Sequence, residues 1–162
     1  MNGQSASQKD SNAILNACRD IDQGIETVSA WLAELRGLQT QREHGTGVDA
    51  KLVKEIENLT TKITGANSNL IDRLKKIISD PQSGSPRNAP QVGRVQRRLK
   101  GALREYQETR LDHSNKLKDQ SKRAIRIVKP DATDAEVTEA AENPDRPVFT
   151  SAVRYHDHRI HV

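Results

Sequence analysis

The sequence contains very few aromatic residues and a single cysteine. Its 162 residues include one tryptophan, two tyrosines and one phenylalanine, and 33% of the residues are hydrophobic. A compact globule of this length usually needs more bulky core, whereas an elongated helical bundle does not, because each helix buries only one stripe. The one cysteine, Cys18, excludes an internal disulfide, which suits a reducing cytosol. Its spacing from Ile14 and Ile21 predicts a small core residue rather than a reactive thiol.

The sequence also lacks long apolar runs. No stretch approaches the roughly 20 residues of a transmembrane helix, and the N-terminus has no apolar segment typical of a signal peptide. We therefore expect a cytosolic chain. Charged residues make up 30% of the sequence, but the net charge of +4 is modest. The apolar residues are periodic, which favours a folded helical protein over a disordered one.

Apolar residues recur at alternating steps of four and three over three long stretches. This spacing predicts an all-α fold, an elongated up-down-up antiparallel three-helix bundle followed by a short helix and a flexible tail. Ser11 or Asn12 can cap the first helix and Asp49 the second, which Asp80-Pro81 ends. The proline-rich loop 80–91 is expected to have little regular structure. We call the line of positions at which the helices are predicted to pack against one another the seam. It includes Ile14, Cys18, Ile21, Ile25, Val28, Leu32, Leu35, Leu52, Ile56, Leu59, Ile63, Ala66, Leu70, Ile77, Val92, Val95, Leu99, Ala102, Tyr106, Thr109, His113, Gln120, Ala124 and Ile127.

A sharp corner is predicted after the third helix. Pro130 ends that helix, and Thr133 with Glu136 forms a capping box that opens a short helix from about Asp134 to Glu142. This helix has too few apolar residues to join the bundle core. The predicted organisation is a disordered N-terminus (1–11), a three-helix bundle (12–129, with helices at about 12–44, 49–79 and 92–129), a linker with the short helix (130–153) and a divergent tail (154–162).

The residue types that support catalysis or metal binding are poorly placed. Imidazoles are good zinc and copper ligands, but His156, His158 and His161 lie in a polar tail with only Asp157 between them. A disordered tail is therefore the favoured interpretation of these residues. No serine or cysteine lies in a sequence context that suggests a nucleophile with its base. We expect no enzyme, no metal and no cofactor.

The third helix is strongly basic. Between Arg94 and Lys129 there are twelve Lys or Arg residues against four acidic ones, a local net charge of +8. Such a helix could neutralise the phosphates of nucleic acid or of anionic lipid. However, no aromatic residues are interleaved for base stacking, and the charges surround the helix. The favoured interpretation is a solvated helix that complements an acidic partner, and a module binding nucleic acid or anionic lipid is the alternative.

A second stripe of residues lies beside the seams of helices two and three. It consists of Val53, Thr60, Asn67, Leu74, Leu103, Arg110 and Leu117. One interpretation is that the core is simply wider than two positions per heptad. The other is a groove between the two helices that receives a fourth amphipathic helix.

Four phrases give the sequence a family resemblance. They are DIDQGIETVSAWLAEL from Asp20, QVGRVQRRLKGALREYQE from Gln91, RIVKPDATDAEV from Arg126 and VFTSAV from Val148. In this order they resemble the N-terminal regulatory domain of fungal plasma-membrane (exocytic) syntaxins, which are target-membrane SNARE proteins. The match covers about residues 12–153. Other three-helix bundles share the heptads but not the corner after the third helix.

The resemblance implies a function. In that family the domain precedes a linker, a SNARE motif and a membrane anchor, and it acts at the cytoplasmic face of the plasma membrane. It binds the SNARE helix in the groove between helices two and three, which slows assembly, and it meets SM-family proteins. The residues that this implies for the contact are Val53, Leu74, Leu103, Arg110 and Leu117.

The resemblance stops after Val153. The nine residues that follow, RYHDHRIHV, do not lead toward a SNARE motif or an anchor. We therefore expect that a chain of this sequence does not itself enter a fusion complex. A truncated product, an altered splice form and a faulty gene model remain open.

Overall fold

The computed structural model describes residues 3–142, with side chains from Asn12 onward, and this part of the chain is all-α. The predicted all-α fold, with three long helices packing together, is confirmed. The elements are α1 (Gly3–His44), α2 (Ala50–Ser79), a short 3₁₀ helix (Pro81–Gly84), α3 (Ala89–Val128) and α4 (Asp134–Glu142).

The predicted caps are confirmed for α2 but not for α1. The Asp49 carboxylate accepts hydrogen bonds from the backbone N–H groups of Lys51 and Leu52 at 3.0 and 3.2 Å. By contrast, α1 begins at Gly3, so Ser11 and Asn12 lie inside the helix and their assignment as caps was wrong. No proline interrupts the segment before them, so their capping preference does not end the helix.

The loop between α2 and α3 is more ordered than the sequence predicts. Asp80 accepts a hydrogen bond from the backbone N–H of Gln82 at 2.8 Å and starts the 3₁₀ helix. The Ser83 hydroxyl donates to the carbonyl of Ile77, and the side-chain amide of Asn88 donates to the carbonyl of Gln82 at 2.9 Å. These short polar side chains hydrogen-bond to the backbone groups of the loop and hold it in a defined conformation that includes a 3₁₀ helix. The prediction of an irregular loop was therefore wrong.

Ion pairs show that α1 and α3 run in the same direction. Near the start of both helices, Asp22 pairs with Arg94 and Arg98. About four turns further along α1, Arg36 pairs with Glu105 of α3 at 3.0 Å. α1 and α3 are therefore parallel, as an up-down-up order requires.

Close contacts show that α1 and α2 run in opposite directions. A Cβ atom on Gly24 would lie 2.5 Å from Cδ2 of Leu70, so this glycine permits a close approach of the two helices. Further along α1 but earlier on α2, the Lys62 ammonium lies 4.1 Å from the centroid of the Trp31 ring. Together with the α1–α3 pairs, this establishes the antiparallel arrangement of neighbouring helices.

Packing divides the chain after Thr109. The first unit contains α1, α2 and the beginning of α3 around one apolar core, in which Ile21, Leu35 and Ile63 are fully buried. The buried residues of this core are Ile14, Cys18, Ile21, Ile25, Val28, Leu32, Leu35, Ile56, Leu59, Ile63, Leu70, Leu74, Ile77, Val92, Val95, Leu99 and Tyr106.

The second unit begins at Arg110 and includes the end of α3 and α4. Its apolar cluster consists of Ile125 from α3 with Val137 and Ala141 from α4, and Val137 is fully buried. Ile127, predicted on the seam, is 80% exposed, so that assignment was wrong. The buried face of α3 is set here by α4 rather than by continuation of the earlier heptads.

The corner between α3 and α4 has the predicted capping box. The Thr133 hydroxyl accepts a hydrogen bond from the Glu136 N–H at 3.2 Å, and the Glu136 carboxylate accepts one from the Thr133 N–H at 2.9 Å. Arg126 pairs with Asp134 at 2.9 Å across the same corner. The backbone N–H groups of Thr133 and Glu136 would have no backbone partner at the start of a helix, and these two side chains supply one for each. The capping box thus fixes the start of α4.

Candidate protein-binding groove

The flank of α3 that faces α1 is occupied by charged pairs. Asp22 accepts hydrogen bonds from both Arg94 and Arg98, and Arg98 also reaches Glu26 at 3.4 Å. The hydrogen bond from Arg94 is the main cause that lowers the pKa of Asp22 below its ordinary value, and Arg98 contributes in the same direction. This carboxylate therefore stays ionised and ties the two helices together.

The flank of α3 that faces α2 is marked by Tyr106. Its hydroxyl lies 2.8 Å from the Thr64 hydroxyl and 3.3 Å from the Thr60 carbonyl. Since α2 and α3 are antiparallel, residues after Thr64 lie beside residues that precede Tyr106. This register places Ile71 at the level of Leu99 and Ile78 at the level of Val92.

Partly exposed apolar residues lie along this α2–α3 side. On α2, Ile71 and Ile78 are seven and fourteen residues after Thr64 and so share its flank. Ile71 is half-buried against the core, and Ile78 is 49% exposed. On α3, Leu103 is half-buried and also packs on the core. We call Ile71, Ile78 and Leu103 the groove residues.

Sequence reasoning missed two of the groove residues. Ile77 was assigned to the seam and is buried, but the adjacent Ile78 was assigned neither to the seam nor to the second stripe. Ile71 was missed in the same way, because it follows the seam residue Leu70. The signal that could have found them is the seven-residue spacing from Thr64, but only the contact of Thr64 with Tyr106 shows which flank faces α3.

The predicted stripe is divided between core and surface. Leu74 is 9% exposed and Asn67 is 5% exposed, which favours the wider-core interpretation at these two positions. Val53 is half-buried on α2. In the second unit, Arg110 is exposed and Leu117 is half-buried. Of the residues suggested for the contact, Leu103 is the one that lies among the groove residues.

Part of the positive charge on α3 is already neutralised. Arg94 and Arg98 pair with α1, Lys116 pairs with Asp112 at 2.9 Å, and Arg126 pairs with Asp134. These arginines and this lysine are therefore less available to neutralise phosphates than the sequence count suggests.

The buried cysteine and the histidines do not form a site in the described chain. Cys18 is 2% exposed, and burial, followed by the nearby charge of Asp22, raises the pKa of its thiol. No group of three or more His, Cys, Asp or Glu residues within 3–142 could hold a metal ion. His156, His158 and His161 lie outside the described residues.

None of the described helices is both long enough and apolar enough to cross a membrane.

Comparison with known proteins shows a likeness to a transport protein. The chain is 22% identical over 160 residues to the protein transport protein SSO2 of Candida albicans. The aligned region covers 96% of this chain but 54% of that protein, so this chain spans about half the length of its relative. No family model matches the sequence. The likeness extends over nearly all of the chain and supports a syntaxin-like protein.

Proposed function

We propose that this chain is the regulatory region of a syntaxin-like target-membrane SNARE, acting in vesicle docking and exocytic fusion at the plasma membrane. Its three-helix bundle binds a SNARE-motif helix and so restrains assembly of the fusion complex, and it also meets an SM-family protein. The proposal is supported by the likeness to a protein transport protein over nearly the whole chain.

The proposed binding function rests on one structural observation, the partial exposure of the groove residues. They give the α2–α3 side an apolar strip that is only partly covered by the bundle itself. An amphipathic helix binds such a strip by inserting apolar residues at helical spacing. The opposite flank of α3 is less suitable, because an incoming apolar stripe there would meet Asp22, Glu26 and their arginine partners.

Binding of a separate SNARE-motif peptide tests this function. A labelled helix from an exocytic syntaxin should bind the chain weakly, because a free peptide lacks the high effective concentration of a tethered one. Ile78→Asp and Leu103→Asp should abolish the binding, since each places a charge against the apolar stripe. Fluorescence anisotropy measures the affinity, and circular dichroism reports whether the bundle remains folded.

A matched control separates the groove from general surface effects. Val48 is 88% exposed, and it lies between α1 and α2 rather than on the α2–α3 side. Val48→Asp introduces the same charge and should leave binding unchanged. If Leu103→Asp unfolds the bundle, the partly exposed Ile78 provides the decisive variant. Unchanged binding in folded Ile78→Asp would refute the groove.

A further inference from the structure

Basic side chains border the groove residues on both helices. On α2, Lys75 lies between Ile71 and Ile78 at spacings of four and three, so it shares their face. On α3, Lys100 is three residues before Leu103 and lies on the same side. Both lysines are exposed, so their ammonium groups are available at the edges of the apolar strip.

Two arginines extend this basic border on α3. Arg97 and Arg104 are seven residues apart with Lys100 between them, and both are exposed. The Arg97 guanidinium lies 3.3 Å from the position of a Cβ on Gly93, so it leans over this glycine. Gly93 is seven residues before Lys100, which places the guanidinium toward the lysine's side of the helix.

The basic border has no partner within the described residues. Arg94 and Arg98, on the α1 flank, are held by Asp22. No corresponding hydrogen bond or ion pair to another described residue involves Lys75, Arg97, Lys100 or Arg104. Their charges are therefore available to a ligand that covers the groove residues.

We propose that the groove selects an amphipathic helix whose apolar stripe is flanked by acidic residues. This inference rests on the proposed groove and adds the chemistry of its occupant. Apolar contact with the groove residues supplies a non-directional attraction, and the basic border supplies charge complementarity that fixes the choice of partner. Asp72 is three residues before Lys75 and Glu108 is four residues after Arg104, so these exposed carboxylates share the faces of the border, and four positive charges against two negative ones leave it a net charge of +2.

Two synthetic helices test the selection directly. They share one apolar stripe and carry either glutamate or lysine at every flanking position. At about 0.05 M salt the glutamate peptide should bind at least tenfold more tightly, and at about 0.5 M salt the difference should fall to roughly threefold or less. Fluorescence anisotropy with the full chain gives both affinities. Equal affinities at low salt would overturn the inference but leave the groove intact.

Charge reversal tests which residues cause the preference for the glutamate peptide. Arg97→Glu, Lys100→Glu and Arg104→Glu, combined in one variant, should invert it. The control variant combines Lys51→Glu, Lys54→Glu and Lys76→Glu, three exposed lysines of α2 outside the border, and changes the net charge equally. This control should keep the preference. An equal effect of both variants would overturn the inference in favour of general electrostatic attraction.

Two further outcomes separate a helix-binding groove from a membrane-binding surface. Binding of neither peptide by the folded chain would overturn the inference together with the groove itself. Co-sedimentation with anionic phosphatidylserine vesicles tests for a membrane surface. If border reversal abolishes vesicle binding but leaves the peptide preference unchanged, the border serves a membrane and the inference is wrong. If peptide preference inverts and vesicle binding is absent in both forms, the inference is supported.

Discussion

Replacement of Asn67 by leucine should stabilise the first unit. Asn67 is 5% exposed, and neither Oδ1 nor Nδ2 of its side chain has a hydrogen-bond partner among the described residues. It lies on α2 between Ile63 and Leu70, which are both core residues. A buried polar group without a partner costs about 1–3 kcal/mol of folding free energy. Leucine has the same branching and the same number of side-chain heavy atoms, and it removes this penalty.

The expected gain follows from three contributions. Removal of the unpaired amide adds about 1–3 kcal/mol to the free energy of unfolding. The higher helix propensity of leucine adds a few tenths of a kcal/mol, roughly. Imperfect repacking subtracts up to about 1 kcal/mol. The net gain should therefore be about 1–2 kcal/mol, which shifts the urea midpoint by about 0.5–1 M if the m-value is about 2 kcal/mol/M.

Asn69 provides the control for this experiment. It is exposed on the same helix, so Asn69→Leu changes helix propensity without removing a buried amide. Its midpoint should move by an amount equivalent to only a few tenths of a kcal/mol, roughly. Urea unfolding followed by circular dichroism measures both variants. If Asn67→Leu gains no more than Asn69→Leu, or loses stability, the buried amide does not carry the penalty assigned to it.

The remaining predictions concern the core, the corner and one ion pair. Ile25→Ala should cost about 2–5 kcal/mol through a cavity in the core, whereas Thr109→Ala, which removes an acceptor for Arg36, should cost about 1 kcal/mol. Equal losses in urea unfolding would contradict this order. Thr133→Ala should weaken α4 by about 1 kcal/mol, seen as faster amide hydrogen exchange there with an unchanged midpoint for the first unit. The pKa of Asp22 is lowered in the folded chain, so its stabilisation is present above its unfolded pKa of about 3.9 and is lost as pH falls through the folded pKa. The difference in unfolding free energy between the native chain and Asp22→Asn should therefore shrink below about pH 4, and a difference independent of pH would contradict the assignment.

The regular part of the fold could be predicted because its signals are local. Ile21, Ile63 and Val95 repeat at heptad spacing within their own helices, and each is fully buried. The helix caps could be predicted for the same reason. Asp49 and Thr133 each accept a hydrogen bond from a backbone N–H group three residues further along the chain. Short sequence separation makes such signals readable without knowledge of the fold.

The errors arise where a distant element decides which face is buried. Along α3 the heptads continue toward Ile127, but Val137 and Ala141 of α4 pack against Ile125 instead. Sequence spacing within α3 cannot show this choice. The groove has the same origin, because the flank of α2 that carries Ile78 is identified only through the contact between Thr64 and Tyr106.

The two flanks of α3 differ in how readily they can accept another helix. On the α1 flank, exposed or half-exposed ion pairs contribute little stability each, but an apolar helix placed over them would have to remove their water. Asp22 makes that cost largest, since two arginines hold it in its charged form. On the α2 flank, the partly exposed Ile71 and Ile78 gain from being covered, at about 25 cal/mol per Å² of apolar surface. The lysines and arginines at the border can keep their charged groups in water while they pair with an incoming carboxylate. A helix with an acidic flank can therefore bind on the α2 side without breaking the pairs that hold α1 to α3.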